Sequence, residues 1–194
     1  TQLAGTRLDH ILRSGVLQVG YRPDNLPCSF LGADGELVGF DVEMAHILAQ
    51  DLDVALEFVP FEFDSLGRML SSGQIDLAMS CIASLPDRFA YVSFSRPYLD
   101  LSLAYIVRDH ERKLYSNPGA LRERQDLSVA MVSTHYFRNR VRQLLPGARL
   151  VELEAAEDFF RGQAPPADAL LLSAEEGAAY TYRYPHYAVV RVQD

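Results

Sequence analysis

The first part of the chain has apolar residues at helical spacing, followed by a short valine-rich segment that is typical of a strand. The helical spacing covers residues 6–13 and is followed by Gly15 as a stop signal, which predicts a first helix. The segment at residues 16–21 is short and rich in valine, which predicts a strand. Two prolines within residues 22–27 indicate that this strand ends in a loop at its carboxyl end.

A hairpin and a second helix are predicted next. Residues 29–31 and 36–38 flank Gly35, which is typical of a turn between two short antiparallel strands. Asp41 is predicted to be the N-cap of the following helix, because residues 44–48 contribute an apolar face directly after it.

Strands and helices then alternate as far as residue 80. Residues 54–59 predict a strand that Pro60 ends, and Asp64 is predicted to cap a helix over residues 65–72. A further apolar segment, residues 75–80, predicts the third strand of this part. The order β-α-β-α-β predicts a parallel sheet.

The second half repeats this alternation. The apolar run at residues 101–107 is predicted to carry the chain into a second lobe, and the first hinge is placed there, next to the charged residues 108–113. The strands predicted beyond it are 128–132, 149–153, 169–172 and 187–192, and the helices are 136–145, 156–163 and 174–184. A smaller α/β unit is therefore expected after the hinge.

The amino-acid composition and the charge argue against some classes of function. The chain has 194 residues, of which 48% are hydrophobic, and a net charge of -8, so it can form a substantial core but has no basic stripe for nucleic acid. No segment approaches the roughly 20 apolar residues of a membrane span, and the first residues do not read as a signal peptide. The histidines and the two cysteines, Cys28 and Cys81, have no metal-site spacing, so no cofactor or metal is predicted.

Motifs in three parts of the chain, in the same order, resemble those of a known family. Residues 76–88 read DLAMSCIASLPDR and residues 94–98 read FSRPY, and both are preceded by ILRSGVLQVGY at residues 11–21 and GELVGFDVEMA at residues 35–45. Together they resemble the motifs of type II periplasmic solute-binding proteins of the polar amino acid family, the receptors that serve ABC importers. The resemblance covers most of the chain.

The resemblance implies an α/β fold of two lobes, each a mixed, mainly parallel sheet flanked by helices. Lobe 1 is expected at residues 1–102 and lobe 2 at residues 103–188, with residues 189–194 starting the crossing back. The family's return segment, which completes lobe 1, does not follow in this sequence. We therefore expect the chain to be a fragment or a truncated form of a longer protein.

The resemblance also implies ligand-binding residues in lobe 1. Arg88 matches the arginine that clamps the ligand's carboxylate through paired N–H donors, and the alternative is a surface arginine paired with an acid such as Asp87. Phe63 falls where the family places a ring that stacks on the ligand, although a core phenylalanine would look the same.

Further cleft positions in lobe 1 follow from the same motifs, at Arg22, Asn25, Ser80 and Cys81, although Arg22 and Asn25 could equally be solvated turn residues. Cys28 and Cys81 both follow strands whose carboxyl ends are expected to meet. This arrangement leaves two alternatives open, a disulfide in an oxidising compartment or two separate thiols.

Lobe 2 matches the family less closely. Ser133 and Thr134 precede a helix and resemble the family's anion-binding turn, while either could simply be an N-cap. The family's aspartate for the ligand's amino group falls at Ser173, which has no negative charge, and Glu175 or Glu176 could substitute for it. The expected ligand is therefore either an amino acid or another small carboxylate. Ala83 and Leu85 replace hydroxyl residues of the family, so either backbone groups supply the missing hydrogen bonds or the ligand is less polar than a typical amino acid.

Three functions are consistent with the sequence. The first is a periplasmic or other extracytoplasmic receptor that closes on a small carboxylate and passes it to a membrane transporter, without being an enzyme. The second is a sensor or accessory domain of a larger membrane protein, such as a kinase or symporter. The third is an enzyme that resembles cyclohexadienyl dehydratases, which act on a carboxylate-bearing ring such as that of prephenate or arogenate, with Glu175 as its general acid.

Overall fold

The computed structural model describes residues 5–132 and 135–193. Contacts among them divide the chain into two units, with the boundary between Leu99 and Asp100. The boundary expected from the resemblance, after residue 102, lies three residues further along. Among the described residues, no helix combines the length and the apolar character that crossing a membrane requires.

The first unit contains a three-stranded parallel sheet and a separate three-stranded antiparallel sheet. Its elements are α1 (Arg7–Ser14), β1 (Val16–Tyr21), β2 (Asp24–Asn25), β3 (Ser29–Leu31), β4 (Leu37–Val38), α2 (Phe40–Asp51), β5 (Ala55–Pro60), α3 (Leu66–Ser72) and β6 (Leu77–Ala78). In the parallel sheet β1 lies between β5 and β6, and in the antiparallel sheet β3 lies between β2 and β4. The predicted parallel sheet and hairpin are both confirmed.

The local sequence explains the limits of α1. The hydroxyl of Thr6 accepts the N–H of Asp9, and the carboxylate of Asp9 accepts the N–H of Thr6, which is a complete capping box. The helix ends at Gly15 in the left-handed conformation, with a φ of 71°. The buried face of α1 contributes Ile11 to a core that also contains Leu17 of β1.

Two predicted caps and one strand length were wrong. Gly39, not Asp41, is the N-cap of α2, and Asp41 is fully buried one residue inside the helix. The N-cap of α3 is Ser65 rather than Asp64, and the Ser65 hydroxyl donates to the carbonyl of Glu62 instead of capping the helix. The third strand is only two residues long, and the N–H of Met79 directly after it still donates to the carbonyl oxygen of Gly20 at 2.9 Å.

The second unit is a five-stranded mixed sheet with helices. Its elements are β7 (Leu103–Arg108), α4 (Arg112–Tyr115), α5 (Pro118–Glu123), β8 (Ser128–Val132), α6 (His135–Leu144), β9 (Arg149–Leu153), α7 (Glu157–Arg161), β10 (Ala169–Ser173), α8 (Ala174–Arg183) and β11 (Tyr187–Arg191). The strand order is β11-β7-β10-β8-β9. The pairs of β8 with β9 and β10 are parallel, and the pairs of β7 with β10 and β11 are antiparallel.

The core of the second unit lies around β8 and β10. Both strands are almost continuously apolar and buried, as expected for central strands that are covered on both faces. The short helices α4 and α5 were not predicted. Residues 189–191, which the resemblance assigned to the crossing back, are paired with β7 in this sheet.

A glycine at the start of α2 provides a test of this architecture. Gly39 has a φ of 137°, and a Cβ there would clash with the carbonyl oxygen of Cys28. We expect Gly39→Ala to lower the free energy of unfolding by roughly 2–4 kcal/mol, because both the backbone conformation and the contact oppose a side chain. Urea-induced unfolding followed by circular dichroism would measure the change.

Gly147→Ala is the matched control, because an added Cβ there meets no atom within 4 Å. We expect its stability to stay close to that of the wild type. Equal stability of the two variants would contradict the tight approach of Gly39 to the segment at Cys28.

Candidate functional site

Ser80 is the centre of a buried polar network in the first unit. Its side chain is fully buried, and its hydroxyl lies 2.5 Å from that of Ser29 and accepts the N–H of Arg22 at 3.3 Å. The amide of Asn25 donates to the carbonyl oxygen of Ser80. Two of the predicted ligand-binding residues, Asn25 and Ser80, therefore bind to each other and hold the loop after β1 against the segment after β6.

The carboxylate of Asp41 anchors the next residue of that segment. Asp41 is fully buried, and its two oxygens accept the backbone N–H of Cys81 and, at 2.7 Å, the hydroxyl of Tyr98. Cys81 has a φ of 46°, which is uncommon for a residue with a side chain. The hydrogen bond from its N–H to Asp41 helps to hold this conformation.

Cys28 and Cys81 form a disulfide, which decides between the two alternatives that the sequence left open. Their Cα atoms are 5.7 Å apart, and the bond joins positions 53 residues apart in sequence. A crosslink over a loop of this length stabilises a fold by up to roughly 4 kcal/mol through the unfolded chain. The sulfur of Cys81, a predicted ligand-binding residue, is therefore bonded to Cys28.

The disulfide involves two of the three residues that could form a metal site. Cys28, Asp41 and Cys81 are the one described group of histidine, cysteine and acidic residues whose ligand atoms lie close enough to hold an ion. Both sulfurs are in the disulfide, and the carboxylate already accepts two hydrogen bonds. The arrangement therefore does not favour metal binding.

Arg22 is paired with two carboxylates. Its guanidinium donates to Glu62 at 2.8 Å and to Asp24 at 2.9 Å, and it lies 5.1 Å from the centre of the Phe63 ring. The Arg22 side chain is 20% exposed, against 60% for Asp24 and 74% for Glu62. The charge of Arg22 is thus neutralised within the protein.

Arg88 lies beside the same ring with a different set of partners. Its guanidinium carbon is 4.4 Å from the centre of Phe63, and one N–H donates to the carbonyl oxygen of Ala83 at 2.9 Å. Among the side chains that the structure describes, no carboxylate forms a salt bridge with Arg88. The side chain of Asp87, the acid named in the alternative from the sequence, lies outside the described residues, so that alternative stays a prediction.

Strand register brings these residues together. In the parallel sheet Tyr21 of β1 is opposite Pro60 of β5, and Gly20 is opposite Ala78 of β6. The segments that follow the three strands therefore leave the sheet at the same edge, as parallel strands require. They supply Arg22, Phe63 and the segment from Ser80 to Arg88, which therefore follow strands that end at one edge of the sheet.

The site residues predicted for the second unit are not assembled into a described site. Ser133 and Thr134 lie outside the described residues. Ser173 is the N-cap of α8, where its hydroxyl accepts the N–H of Glu176 at 3.1 Å. The carboxylate of Glu175 accepts the N–H of Ser102 at 3.1 Å.

Sequence reasoning missed several members of the network in the first unit. Tyr98 belongs to the FSRPY motif, which was a usable signal, while the role of Asp41 was obscured by its position at a helix start. Glu62 follows β5 as Arg22 follows β1, so their pairing could have been inferred once the sheet was assumed parallel. Ser29 carried no signal, because a buried serine in a short hairpin looks like any turn residue.

The hydrogen bond between Tyr98 and Asp41 is expected to be visible in alkaline unfolding. Burial, and then the hydrogen bond and charge of Asp41, raise the pKa of Tyr98 above its ordinary value of 10.0. The unfolded chain therefore loses this proton at a lower pH than the folded chain. We expect the contribution of Tyr98 to stability to be constant below about pH 10 and to fall above it.

Tyr98→Phe is the variant that tests this, by urea unfolding from neutral pH to roughly pH 11. We expect it to cost about 1 kcal/mol at neutral pH, because Asp41 loses a donor, and to show a shallower alkaline decline than the wild type. Tyr182→Phe is the control, because Tyr182 is 94% exposed. An alkaline decline of equal steepness in the wild type and Tyr98→Phe would contradict the assignment.

Comparison with curated proteins finds binding proteins and an enzyme. The chain is 41% identical over 98 residues to the cyclohexadienyl dehydratase of Pseudomonas aeruginosa, which covers 50% of this chain and 37% of that protein. It is 28% identical over 151 residues to the L-cystine-binding protein TcyJ of Escherichia coli K12, which covers 78% of this chain and 54% of that protein. The chain thus spans about a third to a half of the length of these relatives.

Solved structures share the fold over nearly the whole chain. The ancestral amino acid-binding protein AncCDT-1, a precursor of cyclohexadienyl dehydratase, aligns with a TM-score of 0.78 and 30% identity, over 97% of this chain and 81% of that one. An amino acid ABC transporter substrate-binding protein from Streptococcus pneumoniae, bound to L-arginine, aligns with a TM-score of 0.78 and 25% identity, over 98% and 81%. The predicted α/β fold of type II periplasmic binding proteins is confirmed.

The family follows from a match that covers most of the sequence. The profile of the bacterial extracellular solute-binding proteins, family 3, matches residues 17–180, which include the polar network around Ser80 and the two arginines beside Phe63. The chain belongs to the bacterial extracellular solute-binding proteins of family 3.

Proposed function

We propose that this chain binds a small carboxylate-bearing solute, an amino acid or organic acid, outside the cytoplasm for uptake by a membrane transporter. The family supports a solute-binding role, and the relatives include proteins named for cystine and arginine binding. We propose that Arg88 and Phe63 of the first unit contact the solute. The coupling of binding to lobe closure, and the contributions of Ser133, Thr134 and Ser173, stay predictions from the resemblance.

The observation that carries this proposal is the environment of Arg88. Arginine has five N–H donors, and the described partner of this one is a single carbonyl oxygen, that of Ala83. The neighbouring Arg22 shows the contrast, since two carboxylates neutralise it. A solute carboxylate would give Arg88 the paired, charge-assisted hydrogen bonds that the fold itself does not provide among the described residues.

Phe63 supports the same assignment. Its ring is partly buried and packs edge-on against Phe61 at 5.7 Å, so its position is set by the core of the first unit. A ring fixed in this way beside a guanidinium offers an apolar surface to the part of the solute next to its carboxylate. Asn25 and Ser80 act as positioning residues, because their hydrogen bonds hold the loop that carries Arg22.

Titration calorimetry and thermal unfolding with amino acids, dicarboxylates and other organic acids would test the proposal. A solute present at about one hundred times its Kd should raise the Tm by roughly 5–10 °C, because it binds only the folded chain. We expect Arg88→Ala to weaken binding by at least about a hundredfold. Arg88→Lys should also bind weakly, since a lysine cannot reproduce the paired geometry.

Arg149→Ala is the matched control. Arg149 also donates to a backbone carbonyl, that of Pro166 at 3.1 Å, but it lies in the second unit at the start of β9. This variant removes the same charge and should bind like the wild type. Binding that survives in Arg88→Ala, or is lost equally in Arg149→Ala, would refute the assigned role of Arg88.

The similarity to the P. aeruginosa cyclohexadienyl dehydratase supports a second candidate, an enzyme acting on a cyclohexadienyl carboxylate. Its proposed general acid is Glu175, whose carboxylate accepts the N–H of Ser102. Turnover of prephenate or arogenate that is abolished in Glu175→Gln would establish this function. Binding of either compound without turnover would leave the receptor function as the better description.

A further inference from the structure

In the first unit, the guanidinium group of Arg22 lies beside the ring of Phe63. Arg22 lies between the carboxylates of Asp24 and Glu62, at 2.9 and 2.8 Å, and its guanidinium carbon is 5.1 Å from the ring centre. Arg22 is mostly shielded, while both carboxylates are exposed. An arginine held between two acids over an aromatic ring is the arrangement by which proteins bind a guanidinium group, and here the guanidinium belongs to the protein.

The backbone of Arg22 is held as firmly as its side chain. Its N–H donates to the hydroxyl of Ser80 at 3.3 Å, and its carbonyl oxygen accepts the hydroxyl of Ser29 at 2.7 Å. Both serines are fully buried. Hydrogen bonds at the backbone and at both ends of the guanidinium therefore keep this cation in place.

We propose that Arg22 is a specificity-determining residue, which occupies the position of a ligand's cationic group and so excludes solutes with a positively charged side chain. This inference rests on the proposed function, in which Arg88 holds the carboxylate of the solute. A cationic side chain reaching Phe63 would meet Arg22, and the two nearby acids that could receive it are already paired. The substrate class that fits is a carboxylate with a neutral, apolar or aromatic side group.

A second negative charge on the solute also gains little at this position. Arg22 and its two acidic partners together carry one net negative charge, so the group does not attract a further carboxylate. Dicarboxylates are therefore disfavoured relative to neutral side groups. The exclusion of a cationic group rests on the position that Arg22 already occupies between the two acids, whereas the weaker binding of a second carboxylate rests on the net negative charge of these three side chains.

Titration calorimetry with L-phenylalanine, L-glutamate and L-arginine on the wild type and Arg22→Ala tests the inference. We expect the wild type to bind L-phenylalanine at least roughly tenfold more tightly than the two charged amino acids. Arg22→Ala releases both acids and should bind L-arginine at least roughly tenfold more tightly than the wild type does. The ratio of its affinity for L-arginine to its affinity for L-phenylalanine should therefore rise at least roughly tenfold above the wild-type ratio.

If the inference is correct, the tighter binding of L-arginine by Arg22→Ala depends on the carboxylates of Asp24 and Glu62. Adding Asp24→Asn and Glu62→Gln to Arg22→Ala removes both charges, and the improved binding of L-arginine should disappear. Arg22→Gln, which keeps hydrogen-bonding capacity without the charge, serves if Arg22→Ala does not fold, as judged by circular dichroism. We expect the same gain for L-arginine in Arg22→Gln.

Two results would overturn the inference. One is a wild type that binds L-arginine as tightly as L-phenylalanine, and the other is a folded Arg22 variant with no gain for L-arginine. Arg88→Ala separates these failures from failure of the proposed function. If wild-type binding of L-phenylalanine depends on Arg88, the function holds even when Arg22 has no role in specificity, and if no solute binding depends on Arg88, the function itself is wrong.

Discussion

The carboxylate of Asp41, buried near the start of α2, accepts two hydrogen bonds on which the geometry of the first unit depends. An isolated buried carboxylate costs several kcal/mol in lost hydration, and the N–H of Cys81, the hydroxyl of Tyr98 and the N-terminal end of a helix offset that cost. The N–H of Cys81 is presented because this residue adopts a φ of 46°. The carboxylate therefore sets the direction in which the chain leaves β6, toward Arg88.

The disulfide and the hydrogen bonds of Ser80 also hold the segment that follows β6. The bond to Cys28 and the contact of the Ser80 hydroxyl with Ser29 both join the segment after β6 to the hairpin of β3 and β4 or the residues just before it. Three independent interactions thus fix two consecutive residues. A binding site benefits from this rigidity, because groups held in place before binding lose little conformational freedom when the solute arrives.

Two arginines beside one ring have different roles because their partners differ. Arg22 is neutralised by Asp24 and Glu62, whereas the described hydrogen bond of Arg88 goes to the uncharged carbonyl of Ala83. Residue type alone does not separate them, since both are arginines after strands of the same sheet. The difference arises from which acidic side chains the neighbouring segments bring within reach, and it is the basis of both the proposed anion site and the proposed exclusion of cations.

By itself the sequence determined most of the helices and strands, the parallel sheet of the first unit and the family, because periodicity and short motifs depend on residues close together in the chain. The resemblance also gave Arg22, Phe63 and Arg88 as ligand-binding positions. Only the tertiary structure decided that Cys28 and Cys81 are bonded, that Asp41 anchors a turn instead of capping α2, and that Arg22 is neutralised while the described partner of Arg88 is uncharged. Each of these depends on contacts between residues far apart in sequence, where distances of a few ångströms decide the partner and no local pattern records them.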